Sequence, residues 1–316
     1  MRIRRTLALG ASMLVLLGAC STGGGSASPS LAKLKLGVAT DCATNPVCGQ
    51  ALKTAYNIDV TNATKLAACD TPMAQALLGK TIDVGELCST QPDIAVNGWV
   101  VLKDDKATQP ADNIAPLVRN DYLAKLTDKT GFEKILNDVS AAMDTATLTD
   151  LNKQIAVDKK DIAVVAKAWL TSKSLAATPS AGTNAPQIKV GSDGFYEAKL
   201  MAEIYAQDLE ANGYKVDRTG IGIGARKVSA PALESGQIDL KPEYIGSGLA
   251  FYEPGKQTGD PAANETALQA VLKGKGGGIT VLNYSPAADQ NAFVVRKETA
   301  DQYKLSTMSD LAPYVQ

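Results

Sequence analysis

Two nearly adjoining stretches decide the reading of this 316-residue chain: Ile188–Val216, IKVGSDGFYEAKLMAEIYAQDLEANGYKV, and Ala232–Gly248, ALESGQIDLKPEYIGSG. A short β-rich run, Ile188–Val190, precedes Glu197–Asn212, which carries Leu200, Ile204 and Leu209 at helical spacing. Gly213 then suits the left-handed position that closes a helix. Lys215–Asp217 reads as a strand, Val228–Ser235 as a helix closed by Gly236, and Ile238–Leu240 as a strand. Strand, helix, strand, helix, strand is the rhythm of a parallel α/β sheet.

The same rhythm occurs nearer the N-terminus. LKLGVA (34–39), Lys65–Cys69, Thr81–Cys88 and Asn97–Lys103 read as strands, with Trp99 half-buried. Gly49–Tyr56 and Pro72–Leu78 read as helices. Residues 113–119 are strand-like, and from there to Leu175 the pattern is helical. Gly278–Leu282 and Ala292–Val295 are further strands, followed by helices over Glu298–Tyr303 and Thr307–Tyr314. Residues 176–187, AATPSAGTNAPQ, lack hydrophobic periodicity and read as a linker.

The first 19 residues have the form of a secretion signal, with Arg2, Arg4 and Arg5 ahead of the apolar run Leu7–Leu17. Leu17-Gly18-Ala19-Cys20 matches a bacterial lipoprotein cleavage site, with Cys20 as the acylated residue. Residues 20–30 would then be a flexible Gly/Ser tether, and the anchor would be lipid alone. Removing residues 1–19 leaves 29 basic against 33 acidic residues, a formal charge of −4. With no basic face, nucleic acid is not the expected partner.

Four cysteines remain after Cys20: Cys42, Cys48, Cys69 and Cys88. An even number in an exported chain points to disulfides. Three pairings are open, and Cys42–Cys48 with Cys69–Cys88 is favoured: the first closes a loop around Asn45-Pro46, the second joins two predicted strands. A metal site would need four thiolates, because the chain has no histidine, and the spacing lacks paired CxxC knuckles. Without histidine there is also no Ser-His-Asp or Cys-His arrangement, so no enzyme is expected and no cofactor is called for. Asp104-Asp105 reads as a solvated pair, and Gly220–Gly224 (GIGIG), lacking GxGxxG spacing, as a glycine-rich turn.

Six segments together resemble the glycine betaine/carnitine/choline-binding proteins of osmoprotectant ABC importers: VGSDGFYEAKLMAEIYAQDLEANGYKV, PALESGQIDLKPEYIGSG, FVVRKETADQYKLSTMSDLAPY, LKLGVATDCATNPVC, VVLKDDKATQPADNIAPLVRNDYL and LTDLNKQIAVDKKDIAVVAKAWL. The loop DCATNPVC looks like the actinobacterial branch. The order differs from the family's, which runs from VGS…EYIGSG through SDLAPY into KLKLGVA and ends at AKAWL. The chain therefore looks circularly permuted, with the family's two ends joined by residues 176–187; the rival is a swapped assembly between chains.

The resemblance implies a two-lobed periplasmic-binding-protein fold of the type with two hinge crossings. Residues 31–118 plus 288–316 would form lobe B and 119–287 lobe A, with hinges near Ser285–Asn291 and Asn113–Val118. It also implies an extracytoplasmic lipoprotein that hands a small osmolyte to permease and ATPase subunits. The alternative is a transport-inactive lipoprotein of the same fold, acting as sensor or surface interaction protein or binding a polar non-quaternary solute.

A quaternary ammonium donates no hydrogen bond, so aromatic faces must hold it. By match to the family, Tyr244 is the foremost cage residue, with Ser247 as a hydroxyl donor. Ser192, Asp193, Phe195 and Tyr196 occupy the loop after the first strand, where α/β ligands bind. Some relatives have lysine at the position of Asp193, where aspartate would repel a carboxylate. Asn291 stands where a hinge tyrosine is common, and Asn45 where an arginine is common. These departures point away from betaine, toward choline or another amine or polyol. Asp70, Ser89 and Thr90 are further candidates, each weighed against a capping role.

Overall fold

The computed structural model describes residues 32–175 and 184–315. The expected signal segment, Cys20, the tether and most of the linker lie outside the described residues, and the description below concerns the unit that begins at Lys33.

Among the described residues, ten strands form two five-stranded mixed sheets. They are β1 (Leu36–Ala39), β2 (Thr64–Leu66), β3 (Val84–Cys88), β4 (Val100–Val101), β5 (Ile114–Arg119), β6 (Ile188–Asp193), β7 (Val216–Gly224), β8 (Leu240–Tyr244), β9 (Ile279–Val281) and β10 (Asn291–Val295). The first sheet has the order β2-β1-β3-β10-β4 and the second β7-β6-β8-β5-β9. The βαβ segments are parallel as expected, but β10 runs antiparallel to β3 and β4, and β5 antiparallel to β8 and β9. These two strands reverse because each enters its sheet from the other body rather than from a crossover helix.

The apolar residues sort by sheet. One pair of clusters gathers Leu36, Val38, Phe293, Val294 and Leu311 around the first sheet, and the other gathers Ile114, Val190, Ile204, Leu240 and Leu249 around the second. Two cores follow, each built by helices laid on a sheet. The chain passes between them twice, through residues 102–113 and 282–290. The two passages pair with each other: Asn113 bridges Ala288, Asp289 N–H donates to Asp112 at 3.0 Å, and Asn113 Nδ2 donates to Ser285 at 2.9 Å.

The strand at residues 114–119 belongs to the second sheet along its whole length, so a lobe boundary at 118 falls inside β5 and the change of sheet comes before Ile114. Four further expectations change. The GIGIG run is the end of β7 rather than a turn: a Cβ at Gly220 would sit 2.4 Å from Ile238, and Gly222 and Gly224 take φ of 77° and 148°, where side chains are strained. Lys65–Cys69 shortens to β2, with Cys69 at φ 55°. Trp99 is buried. Asp104 is a staple rather than a solvated acid, accepting from Tyr56 Oη, Thr108 Oγ1 and the Gln109 N–H.

The C-terminal turn closes onto the beginning of the first sheet: Leu34 N–H donates to Tyr314 at 2.8 Å. The segment ending at residue 315 and the residues that lead into β1 are thus neighbours within one molecule. Cys42–Cys48 and Cys69–Cys88 are the disulfides. Among the described residues, the two clusters of potential metal-ligating atoms, Cys42/Cys48/Glu86 and Cys69/Cys88/Asp289, each consist of one such bridge and a carboxylate, and a disulfide has no thiolate to offer a metal.

Candidate functional site

Between the two sheets lies a cavity of about 360 Å³, the size of a small organic solute. The first body supplies the loop after β1, the residues before the Thr71–Leu78 helix, and the ends of β3 and β10. The second supplies the end of β6, the β7–helix turn at Gly224–Arg226, and the end of β8 with the helix Ile245–Tyr252 behind it. The C-terminal ends of the parallel strands of both sheets, with the first residue of the antiparallel β10, thus converge on one space, as open α/β sheets favour.

Seven of the expected ligand residues line it: Asn45, Asp70, Asp193, Phe195, Tyr244, Ser247 and Asn291. Phe195 and Tyr244 form an aromatic wall with centroids 5.7 Å apart and planes inclined by 35°. Ser247 Oγ accepts from Arg226 Nη2 at 2.7 Å, so its own proton is available to a solute. Asn45 Oδ1 is used locally, accepting from the Val47 N–H, and Asp70 accepts from the Thr71 N–H as a helix cap.

The other four stand outside the lining. Ser192 is buried, accepting from the Gly222 N–H and donating to Asp193 O, and so holds β6 to β7. Tyr196 is buried at the start of the Tyr196–Ala211 helix. Ser89 and Thr90 turn to the passages between sheets. Ser89 Oγ donates to Asp289 at 3.1 Å, and Thr90 Oγ1 donates to Glu197 Oε2 at 2.5 Å.

The charges were the less legible part. Lys241 and Glu243 project from the same face of β8, two residues apart, and both are buried. Lys241 Nζ meets Asp193 and Glu243 at 3.0 Å each, and Arg226 grips Glu243 Oε1 through Nε and Nη2 at 3.0 and 2.9 Å. Burial disfavours the Glu243 charge, yet attraction to Arg226 and Lys241 holds its carboxyl down at about 2. The expected repulsion of a carboxylate by Asp193 is therefore overturned, because Lys241 and Ser229 Oγ already neutralise and solvate that side chain. The clue was in LKPEY: charged residues at alternate positions of a strand central to its sheet must find partners.

A second buried network lies behind Tyr244. Its hydroxyl donates to Glu197 Oε1 at 2.6 Å, and Asn152 Nδ2 and Thr90 Oγ1 donate to Oε2 at 2.5 Å. Burial raises Glu197 above its ordinary value and pushes its neighbour Asp289 well above the usual carboxylate range. Asp112, whose carboxyl accepts the Gly246 and Ser247 N–H groups, is raised to about 6, again by burial.

Fold and site together define an α/β solute-binding module, two sheets joined by paired passages around a small cleft. The family model for the substrate-binding domain of ABC-type glycine betaine transport systems matches residues 31–172 and 186–316. The chain belongs to that family. It is 31% identical over 156 residues to the glycine betaine-binding protein YehZ of Escherichia coli, covering 48% of this chain and 50% of that protein. It is 30% identical over 128 residues to a glycine-betaine-binding protein of Pseudomonas aeruginosa, 40% of each. The chain thus spans half or less of the curated relatives it matches. Among solved structures, apo YehZ aligns with 90% of this chain and 86% of that one at 13% identity, with a TM-score of 0.36, too low to bear on the argument.

Proposed function

We infer that this protein is the extracytoplasmic solute receptor of an ABC importer, binding a small ammonium osmolyte of the choline or betaine type between its two bodies and delivering it to permease and ATPase subunits. The observation that carries the reading is the solute-sized cavity, lined from both sheets, in a chain whose family match covers both sides of it. Phe195 and Tyr244 would face the cationic methyl groups, and Ser247 would donate to an oxygen of the solute. Closure would be a hinge motion through residues 102–113 and 282–290.

The chain is proposed to be circularly permuted, with residues 176–187 joining the family's two ends. Two observations support this: the family match breaks between residues 172 and 186, and Leu34 is hydrogen-bonded to Tyr314. Cys20 is proposed as the lipid-bearing residue that holds the receptor at the cell membrane.

A thermal-shift panel of choline, glycine betaine, carnitine, proline betaine and polyols tests the receptor reading. A true solute raises the melting temperature by mass action as its concentration passes Kd. No response to any compound would overturn the receptor reading and leave a fold retained for sensing or surface interaction.

A further inference from the structure

Behind the aromatic wall, two buried acids meet with no base between them. Glu197 is 2% exposed and Asp289 3%, and Asp289 also lines the cavity. One residue bridges them: the Thr90 hydroxyl donates to Glu197 Oε2 at 2.5 Å, and the Thr90 N–H donates to Asp289 Oδ1 at 3.0 Å. The two carboxyls are close enough to hydrogen-bond to each other. Among the described residues neither forms an ion pair, and the buried cations beside the cavity, Arg226 and Lys241, are committed to Glu243 and Asp193.

The other ionisable groups around the pair add no positive charge. Tyr244 at the end of β8 donates to Glu197 Oε1, and Tyr196 precedes Glu197 on the same helix. Asp193 of β6, Asp112 of the first passage, and Asp70 and Asp93 of the first body lie further out. Asn152, from the Thr145–Ala156 helix, is neutral.

The hydrogen bonds say where a shared proton sits. Glu197 already accepts at both oxygens, from Tyr244 at Oε1 and from Thr90 and Asn152 at Oε2. Asp289 Oδ1 is also taken, by Ser89 Oγ and the Thr90 N–H. Asp289 Oδ2 is thus the oxygen of the pair to which no group donates among the described residues, and a proton there can be given to Glu197. Like charges in contact and away from water do not both stay ionised. Burial, reinforced by the charge of Glu197, accordingly raises Asp289 well above its ordinary value.

We propose that Asp289 carries a proton in the ligand-free receptor, donates it from Oδ2 to Glu197, and releases it to solvent when a cationic solute enters the cavity. The proposal rests on the receptor reading above and adds a regulation of that site. An ammonium arriving in the cavity that Asp289 lines favours the ionised acid; an opposite charge at about 4–6 Å lowers a carboxyl pKa by roughly 1–3. Binding then expels a proton, and affinity rises with pH until the ligand-free acid is itself ionised.

The probe is choline, or glycine betaine if that is the panel compound that responds. Neither titrates between about pH 5 and pH 8, a window above the ordinary carboxylate range, so any dependence there belongs to the protein. Calorimetry on the purified protein in two buffers of different ionisation enthalpy counts the protons released per solute. The wild type should release a proton, and its affinity should rise by up to about tenfold per pH unit. Asp289→Asn keeps the acceptor for Ser89 and Thr90 and offers Glu197 a permanent donor, so it should lose both the release and the slope. Ser89→Ala, at an exposed position, takes one donor from the ionised acid. It should move the midpoint to higher pH, and it guards against a folding defect in the first variant. No proton release by the wild type overturns the proposal. A slope that persists in Asp289→Asn, or a midpoint unmoved in Ser89→Ala, assigns the proton to Glu86 or Asp112, the other raised acids of the lining, and overturns it too. All three results leave the receptor reading standing. Binding of neither choline nor glycine betaine overturns the proposal, and silence across the whole panel overturns the receptor reading with it.

Discussion

Tyr244 has two separable roles. Its ring faces Phe195 across the cavity wall, and its hydroxyl satisfies one oxygen of the buried Glu197. Tyr244→Ala should remove the ligand-induced thermal shift. Tyr244→Phe should keep it, while lowering stability by about 1–3 kcal/mol because Glu197 loses a donor; a Phe variant that no longer responds to ligand would place the hydroxyl, not the ring, at the solute. Glu86 makes a second residue-scale prediction. Burial, opposed by the Ala39 N–H, aided by Asp41 and opposed by Lys65, raises its pKa from 4.5 to about 7. The folded protein then holds a proton that the unfolded chain has released, so this contribution is fully present below about 4.5 and lost as pH rises through about 7. Its size is on the order of 3 kcal/mol. Denaturant midpoints of ligand-free protein measured across that window should fall with rising pH more steeply in the wild type than in Glu86→Gln.

At the scale of elements, β8 shows how a strand can be central to its sheet and still carry charge. Lys241 is wholly buried between Asp193 and Glu243, so Lys241→Met leaves two buried carboxylates short of a counter-ion. A loss of roughly 3–5 kcal/mol in chemical denaturation is expected; a loss below about 1 kcal/mol would mean that Arg226 alone compensates both acids. The Tyr196–Ala211 helix offers a different test. Glu197 on that helix accepts from Thr90, which follows β3 in the other body, so the pair joins the two bodies directly. Thr90→Val removes a donor from the same buried carboxyl, so it should lower stability by about 1–3 kcal/mol as Tyr244→Phe does. It should also weaken solute binding, because the lost hydrogen bond joins the two bodies. Unchanged affinity would show that this contact does not contribute to closure.

For the whole molecule, the order of the segments matters less than their contacts. β10 completes the first sheet from the far end of the chain, and the turn at Tyr314 is hydrogen-bonded to Leu34. A gene re-cut to begin at residue 184, run through 316 into 32, and end at 175 should therefore give a monomer with the same solute preference. One connection is opened between 175 and 184 and one is made between 316 and 32, and loop-closure cost grows slowly with length, by about 0.6 kcal/mol per doubling. A re-cut chain that folds only as a dimer would favour the swapped assembly instead.

Local signals in the sequence were enough for the α/β rhythm and the helix ends at Gly213 and Gly236. Each depends on residues a few positions apart, where periodicity and backbone preference act directly. Ser192 and Tyr196 were misplaced for a related reason: closeness to a loop in sequence does not say which way a side chain points, and both turned into the core. Strand direction, the true edge of each body at β5, and the use of GIGIG as strand depend on partners far along the chain. The charge balance of the cavity was the most hidden of all. Asp193 is an isolated acid in the sequence and a neutralised one in the fold, while Glu86 reads as an ordinary strand residue until β1, β3 and the Cys42–Cys48 loop enclose it. Composition alone sets how many charges the chain carries; only tertiary structure decides which meet a partner of opposite sign, because Coulomb attraction and desolvation depend on distances that folding creates.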